Sequence, residues 1–392
     1  MKYRLDNKSG NELSALGMGC MRLPGTLGKI DQNKADEVIM EAINQGINFF
    51  DTAYIYPGSE VALGNALDKN KVRDKVYIAT KLPLFKCNSY EDFDRLFNEQ
   101  LTRLNTTYID YYFIHNISRL SDWKRICDLG IEKWIKEKKA SGQIKQIGFS
   151  FHGVRGEFMK VIDDYDWEFC MIQYNYVNTH YQAGIEGLHH AHDKGIPVFV
   201  MEPLLGGQLA NALPQKAARR FKQKDPEASY ASWALRWLWN QPEVTLVLSG
   251  MNHVDQVREN SSLATEYGVD NMNSDDLKVI QEVATIFSDS YKIPCTGCNY
   301  CLPCPKHINI PDSFMAYNTS YTISRFAGIQ LYATTSGGLK SAFSLFHCIE
   351  CGKCEKHCPQ NIRIMEEIKV VRRRMEPLWY RGVMKIARKI MK

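Results

Sequence analysis

Gly46-Ile47-Asn48-Phe49-Phe50-Asp51-Thr52-Ala53-Tyr54-Ile55-Tyr56 is an apolar run that stops on a carboxylate and reaches a second tyrosine soon afterwards. The same punctuation returns twice. Val76-Tyr77-Ile78-Ala79-Thr80 ends in Lys81, and the mostly apolar stretch from Ile109 to Ile114 ends in His115. Short bulky runs separated by helical stretches read as buried parallel strands. Three successive strands therefore each deliver one ionisable side chain just past their ends. In an α/β barrel that rim is where chemistry sits.

Working outward, the chain supplies eight strand-then-helix units. Strands are expected at 14–21, 48–53, 76–81, 109–115, 145–150, 169–174, 197–202 and 244–249. Helical periodicity marks 34–45, 59–68, 90–104, 122–141, 156–163, 184–194 and 228–240, and Gly46, Gly142 and Gly195 stand where left-handed caps end helices. Strict alternation predicts a parallel sheet with helices outside it. Eight repeats favour a closed (β/α)8 TIM barrel over an open Rossmann sheet, and Gly17-Met18-Gly19-Cys20-Met21-Arg22 breaks the G-x-G-x-x-G fingerprint of the latter. The barrel reading ends near Asn260, and an extra helix at 274–287 leads to a change of composition near residue 290.

The 392 residues exceed the roughly 250 of a barrel by more than a hundred, so a second domain is expected. A hydrophobic fraction of 44% and a charged fraction of 24% are ordinary for a soluble chain, and no run approaches the ~18 apolar residues of a spanning helix. Met1-Lys2-Tyr3-Arg4-Leu5-Asp6 lacks the apolar core of a secretion signal, which places the protein in the cytoplasm. The net charge of +5 is uneven: residues 369–392 hold nine Lys or Arg against one acid, Glu376. That basic tail, with no aromatic-rich nucleic-acid motif beside it, makes the chain basic.

Asp51, Tyr56, Lys81 and His115 form a constellation with a definable chemistry. A phenol exchanges protons poorly near neutral pH, but an ammonium beside it favours the phenolate and makes it a usable general acid. Asp51 would hold Lys81 charged, and His115 would hydrogen-bond a substrate carbonyl and fix its angle. Singly, such an Asp reads as a helix cap and such a His as a structural residue. Together, at the ends of strands two, three and four, they read as a site for hydride addition to a carbonyl.

With Asn48-Phe49-Phe50-Asp51-Thr52-Ala53-Tyr54-Ile55-Tyr56, Ala79-Thr80-Lys81, Ile114-His115, Gly148-Phe149-Ser150, Gln173-Tyr174-Asn175 and Glu259-Asn260, the chain resembles the aldo-keto reductases over roughly residues 5–290. The resemblance implies the same barrel, an extended nicotinamide cofactor and the tetrad in the roles above. It also implies that Ser150 and Gln173 hold the carboxamide, and that Glu259 and Asn260 meet the adenine end. Two departures stand out. Phe151 follows Ser150 where the family usually has Asn. In the cofactor stretch from Ser249 to Gln256, Gly250 and Gln256 stand where Lys and Arg often grip a 2′-phosphate. That leaves NADP or NAD open, with Arg258 as a substitute candidate.

Eight of the twelve cysteines crowd into 295–358. Cys348-Ile-Glu-Cys351-Gly-Lys-Cys354-Glu-Lys-His-Cys358-Pro359 follows the bacterial ferredoxin spacing, and Cys295-Thr-Gly-Cys298-Asn-Tyr-Cys301-Leu-Pro-Cys304-Pro305 is one residue short of it. The competing reading is a zinc ribbon, for which four cysteines in one run followed by proline are unusual. In two-cluster ferredoxins the fourth cysteine of each run ligates the other cluster. Cys295, Cys298, Cys301 and Cys358 are thus expected on one [4Fe-4S] cluster, and Cys348, Cys351, Cys354 and Cys304 on a second. The three parts are then a barrel at 1–290, a mostly helical ferredoxin-like dicluster domain at 291–368 with an inserted helix near 312–331, and the basic tail at 369–392.

Nicotinamide moves electrons as hydride and a cubane moves one at a time, so the clusters cannot simply relay into it. A flavin would split the pair, but nothing in the sequence supports one. The expected function is reduction of a small aldehyde or ketone, with clusters that exchange electrons with an acidic protein docking at the basic tail. The rival is an electron-transfer subunit whose barrel is a non-catalytic scaffold.

Overall fold

The computed structural model of the chain describes residues 1–26, 29–337 and 344–390. Lys392 of the basic tail, and the side chains of Arg388 and Lys389, lie outside what is described. The chain divides into two compact units, Met1–Pro203 with Ala234–Asn273 and Leu204–Trp233 with Ser274–Lys392.

The first unit is a closed barrel of eight parallel strands: β1 (Leu16–Gly19), β2 (Phe49–Asp51), β3 (Tyr77–Pro83), β4 (Ile109–Ile117), β5 (Ile144–Phe151), β6 (Phe169–Gln173), β7 (Val198–Met201) and β8 (Val244–Ser249). Each pairs with the next in sequence, and β8 closes on β1 through Val247 opposite Leu16. Alternate residues of a strand face the same side. Phe49, Ala79, Tyr111, Phe113, Phe169, Met171, Phe199, Leu246 and Leu248 share one buried cluster that fills the barrel. Two residues past the last of these on β2, β3 and β4 stand Asp51, Lys81 and His115, so the strand period itself carries the ionisable groups to one rim. At the opposite end an antiparallel pair, Tyr3–Leu5 with Glu12–Ser14, precedes β1, and the Tyr111 hydroxyl donates to Asp6 at 2.8 Å. That hairpin was not legible in the sequence because its two arms span three residues each.

Outside the barrel lie α1 (Gln32–Asn44), α2 (Ser59–Asn70), α3 (Tyr90–Arg103), α4 (Leu120–Asp128), α5 (Ile131–Ala140), α6 (Arg155–Asp163) and α7 (Gly184–Asp193). The helix expected over 122–141 is two, because Gly130 at φ 91° breaks it. Gly46, Gly142 and Gly195 do take positive φ, at 88°, 74° and 66°. After β7 come α8 (Gln215–Lys224) and α9 (Tyr230–Trp239), and after β8 comes α10 (Val254–Glu266). The reading that ended the barrel near Asn260 stopped inside α10, whose long polar face hides its period.

The second unit holds α8, α11 (Ser274–Ser290), α12 (Ile310–Thr322), α13 (Arg325–Thr335), α14 (Ile364–Met375) and α15 (Leu378–Ile390). The single inserted helix expected near 312–331 is a pair. Ser324 interrupts it and caps α13 by accepting from the Ala327 N–H at 3.1 Å. A buried core that includes Phe314 of α12, Tyr332 of α13, Leu345, Val371 and Met375 of α14 and Tyr380 of α15 packs against the cysteine loops. Among the described residues no helix is long and apolar enough to cross a membrane.

Candidate active site and metal centres

Asp51, Tyr56, Lys81 and His115 meet at the barrel rim. Lys81 Nζ pairs with Asp51 Oδ1 and also donates to the Thr52 carbonyl at 2.7 Å. It lies 5.2 Å from the centre of the Tyr56 ring, and that ring stands edge-on to the His115 imidazole with centroids 6.3 Å apart. Asp51, Lys81 and His115 are buried and Tyr56 is half-buried, so the phenol edges the site toward its opening. Burial raises the Asp51 carboxyl and lowers the Lys81 ammonium, and their mutual attraction opposes both. Burial, followed by the charges of Lys81 and His152, drives the His115 imidazole well below its ordinary value. It is therefore neutral near pH 7, a hydrogen-bond donor without charge.

The loop from Asp51 to Tyr56 is pinned from several sides. The Thr52 N–H donates to the Ala79 carbonyl at 2.8 Å, and the Tyr54 hydroxyl donates to Glu99 at 2.8 Å. Behind β3, Gln100 Nε2 donates to Glu60 Oε1 at 2.9 Å and to the Lys81 carbonyl at 3.1 Å, while Arg103 closes on Glu60 at 3.0 Å. A fully satisfied buried network fixes geometry. Glu60, Gln100 and Arg103 thus hold the lysine's strand in place, although in sequence they read as ordinary polar residues of helices.

The cofactor candidates fall into two groups. Ser150 is buried on β5, where its Oγ accepts the Asn116 N–H at 2.8 Å and keeps its own hydrogen to give. Gln173, fully buried at the end of β6, accepts from Gln182 at 3.1 Å through Oε1, and its Nε2 has no hydrogen-bond partner. A buried amide nitrogen without an acceptor is costly unless a ligand supplies one. A nicotinamide carboxamide offers that acceptor, so these residues fit it. Ser249 and Asn260 are buried, whereas Gln256 and Glu259 are exposed at the start of α10. Gln256 Oε1 accepts the Asn252 N–H at 2.9 Å, and Arg258 is held by Glu41 at 2.8 Å. His152, buried beside Lys81 and hydrogen-bonded to Gln182, was not singled out in the sequence. Its place one residue beyond the Phe151 departure was the available signal.

In the second unit all eight clustered cysteines are unbridged. Cys295, Cys298, Cys301 and Cys358 line one small cavity. Cys304, Cys348, Cys351 and Cys354 line another, which Cys301 also touches. Among the described residues no three Cys, His, Asp or Glu side chains converge on one point at single-ion range. Each set of four cysteines thus lines one cavity, and the residue type and sequence spacing fit thiolate ligation of an iron-sulfur cluster. Ile310, Phe314, Ile362 and Ile364 sheathe the first cavity, and Ile308, Met365 and Ile368 the second.

The chain also matches two known families. A profile of the aldo/keto reductase family matches residues 15–282, and one of the 4Fe-4S dicluster domain matches 294–362. The chain is 26% identical to L-galactose dehydrogenase of Arabidopsis thaliana over 308 residues, 72% of this chain and 94% of that one. It is 27% identical to the NADH-specific methylglyoxal reductase of Escherichia coli over 295 residues, 63% of this chain and 89% of that one. Among solved structures, the holo form of an aldo-keto reductase from Bacillus halodurans superposes with a TM-score of 0.60 at 25% identity, covering 72% of this chain and 96% of that one.

Proposed function

Because the chain belongs to the aldo/keto reductase family, we propose that it reduces a small aldehyde or ketone to the alcohol at the Asp51–Tyr56–Lys81–His115 site. Ser150 and Gln173 would hold a nicotinamide nucleotide, which when bound would supply the hydride for the carbonyl carbon. Tyr56 gives its hydroxyl proton to the carbonyl oxygen, and the Lys81 ammonium stabilises the phenolate left behind. Asp51 holds that ammonium charged and aimed. Neutral His115 donates a hydrogen bond to the same oxygen and sets the angle of the carbonyl. Ser150 and Gln173 hold the carboxamide, Glu259 and Asn260 the adenine end, and Ser249 and Gln256 border the adenosine ribose. With Arg258 tied to Glu41 and no cation at Gly250 or Gln256, NADH is the favoured donor.

The observation that carries this reading is Lys81, buried beside the Asp51 carboxylate and the Tyr56 phenol and donating to the Thr52 carbonyl. Tyr56→Phe tests it. Carbonyl reduction by the holoprotein should fall by roughly 10³-fold, while NADH binding, followed by nicotinamide fluorescence, stays intact. An unchanged rate would remove the enzyme reading and leave the barrel as the scaffold of an electron-transfer subunit.

We further assign one [4Fe-4S] cluster to Cys295, Cys298, Cys301 and Cys358, and a second to Cys304, Cys348, Cys351 and Cys354. In sequence we read the domains as a reductase barrel at 1–290, a dicluster domain at 291–368 and the tail at 369–392, although by compactness Leu204–Trp233 and Ser274–Ser290 group with the second unit. Clusters of this kind move single electrons, and a one-electron donor or acceptor protein is their natural partner.

A further inference from the structure

The helix that closes the described chain, α15, carries more than charge. Tyr380 and Met384, one turn apart, pack into the core of the second unit, and Tyr380 is 3% exposed. The neighbouring stripe does the opposite. Trp379, Val383 and Ile386 lie at i, i+4 and i+7 and are 57%, 51% and 62% exposed, while Leu378 at the start of the helix is 82% exposed. Arg381 and Lys385 are exposed on the remaining side, with Arg381 over the Phe346 ring at 4.5 Å.

The one acid of the tail does not offset these cations at the surface. Glu376 is buried, and its carboxylate accepts from the Tyr332 hydroxyl, the Ser344 hydroxyl at 2.7 Å and the Leu345 N–H at 2.9 Å. The surface of α15 thus joins an apolar stripe containing a tryptophan to unopposed positive charge. A second copy of this chain would bring cation against cation. A hydrated acidic protein surface would answer the cations but give the stripe nothing to enter. The interface of an anionic bilayer answers both, since it holds tryptophan and aliphatic groups at headgroup depth and attracts Lys and Arg to its phosphates.

We propose that α15 is an in-plane membrane anchor. It lays Trp379, Val383 and Ile386 into the interface of a bilayer containing anionic lipid and sets Arg381 and Lys385 among the headgroups. The association is peripheral and independent of the chemistry of the barrel.

Sedimentation of the anaerobically purified, cluster-loaded full chain with vesicles tests this. Vesicles of phosphatidylcholine with phosphatidylglycerol should carry the protein down at low salt, and pure phosphatidylcholine vesicles should not. Binding should weaken as salt rises. Val383→Glu, at an exposed position, should lower partitioning by at least about tenfold with the cluster absorbance unchanged. Ile386→Asn, a milder change, should lower it in the same direction. Should the protein ignore phosphatidylglycerol vesicles, or should both variants bind them as well as the parent does, the anchor is wrong and the stripe belongs to a protein partner.

Discussion

Lys81 and Asp51 form an ion pair whose side chains are only 2% and 8% exposed, sealed into the end of the barrel. Breaking one partner of such a pair leaves an uncompensated buried charge, at a cost of about 3–5 kcal/mol. Asp51→Asn and Lys81→Met should therefore each destabilise the barrel by that order in urea unfolding. The double variant should recover part of the loss, because neither charge is then stranded. Strictly additive losses would mean that the two groups do not depend on each other.

The histidines at the rim contribute to the acid limb of stability. Burial lowers His152 to about 4, and burial also holds His115 well below its usual value, so both are neutral in the folded protein. In the unfolded chain an imidazole takes a proton below pH ~6.5. The unfolded state thus binds more protons as pH falls from there, and stability is lost going down toward pH 4. His152→Gln should flatten that limb by removing roughly 3 kcal/mol of the pH-dependent loss. Thermal melts across pH 7 to 4 that keep the same slope in the variant would show that His152 already titrates normally when folded.

Cofactor choice should follow from what holds Arg258. The Glu41 carboxylate meets its Nε at 2.8 Å, and Asp255 lies 3.8 Å from its other arm, so the one cation on this stretch of α10 is already engaged. NADH is expected to give the higher kcat/KM. Gln256→Arg should raise the ratio for NADPH over NADH by about tenfold or more by restoring a fork that grips a 2′-phosphate. A parent enzyme that prefers NADPH strongly would show that another group binds that phosphate.

The eight barrel strands and the tetrad were legible because a buried strand writes its period into adjacent residues. Phe49 and Asp51, Ala79 and Lys81, Phe113 and His115 are each separated by one residue that faces the other way. What escaped notice depends on longer-range or weaker signals. Glu60 and Gln100 support Lys81 from α2 and α3, and nothing local in the sequence distinguishes them from solvated helix residues. The break at Gly130 was passed over because the apolar period continues across it. Likewise the tail read in sequence as nine cations against one acid, yet that acid, Glu376, is buried and Arg374 is spent on Ser320 and the Tyr321 ring. Charge counting cannot see which groups the fold consumes.

The two cysteine runs make a prediction that depends on their crossing. Cys358 shares a cavity with Cys295, Cys298 and Cys301, more than fifty residues before it, and not with its sequence neighbour Cys354. Cys304 likewise lines the cavity of Cys348, Cys351 and Cys354. Ligation by these partners means that Cys358→Ser and Cys298→Ser damage the same cluster, while Cys304→Ser and Cys351→Ser damage the other. Under anaerobic purification each variant should keep about half of the iron, and the reduced proteins should fall into two pairs by their electron paramagnetic resonance signals. If the runs bound their clusters without crossing, Cys358→Ser would pair with Cys351→Ser instead. Zinc in place of iron and sulfide in the parent protein would remove both pairings together.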